Sequence, residues 1–271
     1  MIPKVIHYCW FGHNPYPEVV KECMQSWKVM CPDYEIKCWN EENFDYKNCD
    51  YAREAYDAQK WAFVSDYARL KILEEYGGIY VDTDVELLKS LDGLLDNHAF
   101  MGFEHCLGVN SGLIVGAEKN QKFISELKKQ YEAMHFRNAD SSLNLTSCVE
   151  YTTNLLNAKG LKKENVRQTI DEVTVLPIEY FCPQNQFTGK VMITKNTYSI
   201  HRYLGTWADE TVKYGQKLKK ELLKKYGGWF GTILYSVKYS FYVIQKDGVK
   251  KLLGKILRKI KIKLHFMIND I

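Results

Sequence analysis

The sequence predicts an α/β fold organised around parallel strands, and three observations predict it. The chain opens with a strand, a helix and a second strand. A long helical pattern runs into a glycine pair at Gly77-Gly78. A short apolar strand follows and ends directly on Asp82-Thr83-Asp84. A β-α-β start needs a crossover and hence parallel strands, and ligands of such sheets settle beyond the carboxyl ends of the strands.

Residues 4–9, Lys-Val-Ile-His-Tyr-Cys, read as a short buried strand. Trp10-Phe11-Gly12 and the Asn14-Pro15-Tyr16-Pro17 cluster make the loop after it. Val19, Val20, Cys23, Met24 and Trp27 recur at helical spacing and predict a helix over Glu18–Met30. Residues 34–39 alternate and form the second strand. Residues 58–76 form the strongest helix pattern, in which Trp61, Val64, Ala68, Leu70, Ile72 and Leu73 mix with Asp66, Arg69 and Lys71. Gly77-Gly78 stops it, as glycine does after a last turn. Ile79-Tyr80-Val81 is then a strand. Further strands are expected at 98–104, 111–115, 173–176 and 191–200, and helices at 119–134 and 148–157.

Composition bounds the rest. The 271 residues suit one large domain or a domain with an appendage. With 46% hydrophobic and 26% charged residues the chain is neither disordered nor fibrous. Residues 1–212 hold 22 Lys and Arg against 30 Asp and Glu, whereas residues 213–271 hold 15 against 3. A mildly acidic domain over 1–212 therefore carries a basic appendage over 213–271, which calls for an anionic partner. None of the eight cysteines forms C-x-x-C, which argues against a zinc knuckle. Met1-Ile2-Pro3-Lys4 does not start a secretory signal, so reduced cysteines in the cytoplasm are expected, and Asn144-Leu145-Thr146 would carry no glycan.

Asp82 and Asp84 are two apart at a strand end, and on an extended segment both carboxylates share a face and can approach one cation. Mg²⁺ and Mn²⁺ prefer oxygen ligands and keep positions for water and phosphate. Two carboxylates are too few for a closed cage but suit a metal that also holds a diphosphate. A D-x-D by itself also fits a solvated turn. Asp66 and Arg69, at i and i+3, fit either a surface ion pair of little worth or a carboxylate and guanidinium for sugar, ribose and phosphate oxygens.

The run from Ser65-Asp66 and Arg69 through Gly77-Gly78, Tyr80, Asp82 and Asp84 resembles the donor-binding segment of DXD-bearing sugar-nucleotide glycosyltransferases. It is most like the family of yeast mannosyltransferases and bacterial capsular polysaccharide enzymes (glycosyltransferase family 32-like), and it is similar to clostridial toxin glucosyltransferases. The opening Ile2-Pro3-Lys4-Val5-Ile6-His7-Tyr8-Cys9-Trp10-Phe11-Gly12 resembles that family's start. Ser199-Ile200-His201-Arg202-Tyr203-Leu204-Gly205-Thr206-Trp207 resembles its closing segment, with Thr206 where serine is commoner. The likeness spans residues 2–207 with its motifs in order.

The resemblance implies a GT-A type nucleotide-diphospho-sugar transferase fold with a mixed, mostly parallel central sheet, here with a C-terminal helical appendage. It implies retaining transfer of a hexose from a nucleoside diphosphate sugar, a UDP-sugar first, aided by Mn²⁺ or Mg²⁺. By position, Trp10 would stack on the base, which any base permits through its π face. Asp66 and Arg69 would hold sugar and ribose, and Asp82 would touch ribose or the metal's water. Asp84 would bind the metal directly with His201 as a second protein ligand. Trp207 would cover the diphosphate, and Asn110 and Ser111 would contact the donor sugar. Asp82, Asp84 and Arg69 are thus the catalytic candidates. Taken alone, His201 equally fits a structural histidine; imidazole is an acceptable Mn²⁺ ligand. The transition state resembles an oxocarbenium ion leaving a diphosphate, and the resemblance favours front-side attack over a covalent intermediate.

In the basic appendage, Val249, Leu252, Leu253, Ile256, Leu257, Ile260 and Leu264 recur every three or four residues, with lysine and arginine filling the positions between. This predicts a basic amphipathic helix lying on an anionic membrane; a hairpin with a solvated lysine face is the plainer alternative. Residues 231–244 are apolar and aromatic but too few to span a bilayer. The expectation is a cytoplasmic protein attached peripherally to the inner face of the cell membrane. Its acceptor would be a saccharide or lipid-linked saccharide of surface polysaccharide synthesis, with no nucleic acid partner. Two other functions fit parts of the sequence. Asp82-Thr83-Asp84-Val85 satisfies the strand-end motif of a haloacid-dehalogenase-like phosphatase, though it comes late in the chain and no convincing acidic cluster follows. A catalytically inactive, membrane-associated sugar-binding protein would retain much of the same motif set.

Overall fold

The computed structural model describes residues 1–185, 189–205 and 210–249. They fall into two compact units, residues 1–185 with 190–205, and residues 210–249 with Gly189.

The first unit runs β1 (Val5–Cys9), α1 (Glu18–Met30), β2 (Glu35–Trp39), α2 (Asp50–Asp57), α3 (Trp61–Tyr76), β3 (Gly78–Val81), β4 (Val85–Leu87), β5 (Ala99–Gly102), β6 (Ile114–Ala117), α4 (Lys122–Glu132), α5 (Cys148–Ala158), β7 (Gln168–Ile170), β8 (Val173–Leu176), α6 (Ile178–Phe181) and β9 (Ser199–His201). Seven strands form one sheet in the order β2-β1-β3-β6-β5-β8-β7. The β1/β2, β1/β3 and β5/β8 pairs are parallel, as the β-α-β opening requires. β6 runs against both β3 and β5, and β7 runs against β8, so the sheet is mixed, as the resemblance implies. β4 and β9 form a separate antiparallel ribbon with Val85 opposite His201.

Strand alternation divides the core into two faces. Ile79 and Val81 of β3 join Ile6, Trp27 and Phe100 on one side, while Tyr80 joins Val64, Ala68 and Leu70 of α3 on the other. Continued by one step, the alternation sends Asp82 to the α3 side. α3 itself is buried over Phe63–Leu70 and again at Ile72 and Leu73. A helix packed on nearly every side has no clean apolar stripe, which explains its mixed sequence pattern. It starts at Trp61 rather than 58, because Ala58 closes α2 and Gln59 takes a φ of 56° that breaks the helical path. At its other end Gly78 has a φ of +101°, and a Cβ there would lie 2.8 Å from His7 Nε2. Only glycine lets β3 approach β1 so closely at this point.

The structure corrects several expected elements. The strand expected over 191–200 is three residues long, and His201 ends it. The strand expected over 111–115 is shifted to Ile114–Ala117, because Asn110–Leu113 is a turn closed by the Leu113 amide donating to the Asn110 carbonyl. α2, β4 and β7 lacked a periodic signal, being only eight, three and three residues long.

The second unit is a hairpin of α7 (Glu210–Tyr226) and α8 (Gly228–Asp247). Gly227, with φ +78°, makes the turn. Tyr214 stacks on Tyr242 with ring centroids 3.9 Å apart, and Gly215 admits the Tyr239 ring. Leu218, Leu222 and Val243 are buried. Residues 250–271, most of the expected basic amphipathic helix, lie outside the described residues. Among the described residues no helix is long and apolar enough to cross a membrane.

Candidate active site

The site is built where β3 ends. The two aspartates do not lie on an extended segment, as strand spacing suggested. The Val85 amide donates to the Asp82 carbonyl at 3.0 Å, closing a tight turn over 82–85. The turn brings the carboxylates together, and β9 supplies the third group. Pairing of Val85 with His201 sets the imidazole beside Asp84, with His201 Nε2 3.1 Å from Asp84 Oδ1. The Leu204 amide donates to Asp84 Oδ2 at 2.9 Å, and the Arg202 amide donates to the Asp84 carbonyl. One ligand atom each from Asp82, Asp84 and His201 lies within 4.8 Å of the other two.

Behind this cluster sits a buried ion network. Arg69 Nη1 lies 2.7 Å from Asp66 Oδ1, and Arg69 Nη2 lies 3.2 Å from Asp82 Oδ1. The side chains of Arg69 and Asp66 are only 3% and 9% exposed, so this is an interior pair rather than the surface pair that i, i+3 spacing alone permits. The guanidinium also covers the Tyr80 ring at 4.7 Å. Gly112 closes the far side of Asp82, where a Cβ would fall 2.9 Å from Asp82 Oδ2 and 3.3 Å from Arg69 Nη1.

The charges are set by these neighbours. Burial pushes Asp82 up to about 6, with Asp84 adding to the rise and Arg69 opposing it. Asp84 is buried too, yet His201 and the Leu204 amide hold it below the usual carboxylate range. Burial disfavours charging His201, but Asp84 and Asp82 outweigh that and raise it above an ordinary histidine.

A divalent cation fits this donor set. Two carboxylates and one imidazole give a hard, anionic, incomplete shell that leaves positions for water or phosphate oxygens. His201 Nδ1 is buried with no hydrogen-bond partner among the described residues, and such a nitrogen is one a cation or bound ligand could satisfy.

The other expected residues fall around this centre in different ways. Trp10 follows β1, the parallel neighbour of β3, half-buried, with its Nε1 donating to the Asn14 carbonyl at 2.7 Å and its ring 4.7 Å from Tyr16. Asn110 Oδ1 accepts from the Gly112 amide at 2.7 Å, which shapes the turn against Asp82. Ser111 is buried and accepts from Thr152 Oγ1 of α5 at 3.1 Å, so its hydroxyl is committed to the scaffold. Trp207 lies outside the described residues.

Sequence reasoning missed Glu104 and Cys148. Glu104 Oε2 accepts from Asn110 Nδ2 at 2.9 Å, and burial raises its carboxyl. Its signal was present, since it lies just past the carboxyl end of β5 as Asp82 does for β3. Cys148 Sγ lies 3.8 Å from Asn110 Oδ1, and burial pushes its thiol up to about 12. No sequence pattern marks it, because α5 brings it in from a distant part of the chain.

Residues 17–101 match the family model described as "Glycosyltransferase sugar-binding region containing DXD motif". This segment is thus similar to glycosyltransferase sugar-binding regions. The match contains Asp66, Arg69 and both aspartates, as the sequence motifs implied. Inositol phosphoceramide mannosyltransferase 3 of Schizosaccharomyces pombe is 30% identical over 139 residues, covering 50% of this chain and 38% of that protein. Mannosyl phosphorylinositol ceramide synthase SUR1 of Saccharomyces cerevisiae is 30% identical over 142 residues, covering 50% and 37%. The chain thus spans well under half the length of these fungal relatives. An uncharacterized glycosyltransferase of Acanthamoeba polyphaga mimivirus is 24% identical and matches 77% of this chain and 84% of its own length. Among solved structures, the PaToxG glycosyltransferase superposes with a TM-score of 0.47 at 19% identity, covering 59% of this chain and 70% of its own. The galactosyltransferase LgtC with donor and acceptor sugar analogues gives 0.42 at 15% identity, covering 79% and 92%. Glycosyltransferase, the enzyme class expected from the sequence, is the class named by the matched family model and by the mimivirus relative.

Proposed function

We propose that the protein is a metal-dependent retaining glycosyltransferase that moves a hexose from a nucleoside diphosphate sugar to a saccharide or lipid-linked saccharide acceptor. The observation that carries this is the convergence of Asp82, Asp84 and His201 within 4.8 Å at the end of β3, with both aspartates inside the segment that matches a glycosyltransferase sugar-binding region and His201 brought in by β9. Asp84 and His201 would hold a Mn²⁺ or Mg²⁺ ion, with Asp82 as a further ligand or a partner of the metal's water. Bound there, the ion supplies positive charge to the diphosphate as it leaves.

The chain's own residues do the rest. Arg69 keeps Asp82 oriented and compensates its buried charge. Asp66 holds Arg69 in turn, so donor contacts from this pair pass mainly through Asp82. Trp10, half-exposed after β1, would stack its ring on the base, and Asn110 would reach the sugar with the second Nδ2 hydrogen that its bond to Glu104 leaves over. The anomeric C–O bond to the diphosphate breaks while the acceptor oxygen bonds to the same face of that carbon. The leaving phosphate oxygen takes the acceptor's proton, so no protein nucleophile is needed. The phosphatase alternative needs Asp82 free to attack phosphorus, whereas Arg69 engages it at 3.2 Å.

We further assign residues 1–212 to catalysis and 213–271 to peripheral attachment on an anionic cytoplasmic membrane surface, which suits a lipid-linked acceptor in surface polysaccharide assembly. A UDP-sugar is the favoured donor. Mannose-bearing donors belong beside it because the Schizosaccharomyces pombe relative is a mannosyltransferase by name. The test is a screen of nucleotide sugars for thermal stabilisation and for donor hydrolysis, with and without Mn²⁺. One donor should both stabilise the protein and be hydrolysed only with metal. Stabilisation without turnover of any donor would favour a sugar-binding protein, and hydrolysis of p-nitrophenyl phosphate with no donor binding would favour the phosphatase.

A further inference from the structure

We propose that the outer face of α8 is a membrane-insertion ridge that enters the headgroup–acyl boundary of an anionic bilayer. This rests on the assignment of residues 213–271 to membrane attachment and names the surface that meets the lipid.

Trp229, Phe230, Ile233, Val237, Phe241 and Ile244 are all exposed, Trp229 by 79%, Val237 by 64% and Phe241 by 62%. At helical pitch these six side chains fall within an arc of about 120°. The opposite face of α8 is already used, since Tyr239 and Tyr242 pack on Gly215 and Tyr214 of α7. The ridge is therefore not the inner seam of the hairpin. A continuous exposed run of large apolar side chains marks a contact surface, and tryptophan and phenylalanine are suited to a membrane interface.

Charge selects the occupant. Lys213, Lys217, Lys220, Lys224, Lys225, Lys238 and Lys246 are exposed on the same two helices, with Glu221 the exposed acid among the described side chains. Residues 250–271 add seven Lys and Arg and one Asp. A second copy docked ridge to ridge would bring these like charges together. An anionic lipid surface instead takes the apolar ridge, which no lysine interrupts, while its field attracts the exposed lysines around the hairpin.

The experiment uses the full-length protein and sedimentation with vesicles of phosphatidylcholine alone or mixed with phosphatidylserine. Trp229→Ser and Phe241→Ser are compared with Val166→Ser, which removes a similarly exposed apolar side chain from the first unit. Wild type should pellet with the mixed vesicles, each ridge substitution should weaken partition by about tenfold, and Val166→Ser should not. Melting temperatures without lipid should stay unchanged. The fluorescence lost in Trp229→Phe should be the component that shifts to the blue on vesicles. If wild type and ridge variants pellet equally, the ridge is wrong while membrane attachment stands. If wild type does not pellet, both fall. A lipid-free dimer dispersed by the ridge variants would assign the face to a second copy. Lower melting temperatures with unchanged partition would assign it to the chain's own packing; either result overturns the proposal.

Discussion

Arg69 is the residue whose removal tests the architecture of the site most directly. Arg69→Met keeps the bulk of the stem and deletes the charge. The guanidinium is buried, at 2.7 Å from Asp66 and 3.2 Å from Asp82, and it covers Tyr80. Breaking a buried pair by removing one partner costs about 3–5 kcal/mol, because the surviving charge has no water to return to. Two carboxylates are orphaned here, but Asp82, already pushed up to about 6, can escape part of the cost by taking a proton. A total near the lower end, about 3 kcal/mol, is therefore expected. For a unit of this size that lowers the melting temperature by roughly 6–12 °C. Asp66→Asn in the Arg69→Met background removes one orphaned charge and should restore part of the loss, with a coupling of about 1–3 kcal/mol. Arg69→Lys should fall between, since an ammonium lacks the planar fork that reaches both carboxylates. Calorimetry on the four proteins of the cycle and on Arg69→Lys reads all of this. Additive effects of Asp66→Asn and Arg69→Met, or an Arg69→Met protein that melts with wild type, would refute the reasoning.

Other outcomes follow from the same geometry. Asp84→Asn keeps an acceptor for the Leu204 amide, so it should fold as wild type yet lose Mn²⁺ binding by calorimetry and lose donor hydrolysis; full activity in excess chelator would count decisively against a metal-dependent reaction. Gly112→Ala sets a methyl 2.9 Å from Asp82 Oδ2, and should weaken Mn²⁺ binding by about tenfold with little change in melting temperature. His7 accepts from Trp39 Nε1 at its Nδ1, its Nε2 lies 2.9 Å from the Gly77 carbonyl, and burial lowers it from 6.5 to about 4. It is neutral when folded, so its contribution is complete above pH 6.5 and is lost as pH falls toward 4. At pH 5 the loss is about 2 kcal/mol, and His7→Gln should flatten this part of the denaturant-midpoint profile.

Some of the site was legible in the chain because its signals are local. The 3.6-residue and two-residue periods depend on near neighbours, so α1 and β8 have the bounds their patterns imply. The glycine pair and the aspartates are contiguous with β3, and the asymmetry of charge needs no fold at all. Three things were decided only by tertiary structure. Asp66 and Arg69 look like a surface pair at i, i+3, and only packing on both sides of α3 made them an interior brace for Asp82. The aspartates converge through a turn over 82–85 rather than by strand alternation, and that turn is anchored by β9. His201 lies more than a hundred residues from Asp84, and a three-residue strand pairing brings them together. Such short, non-local pairings leave no periodic trace in the sequence. They rest on a larger sheet that fixes both partners in place, so the convergence of Asp82, Asp84 and His201 belongs to the fold although the three residues could be named beforehand.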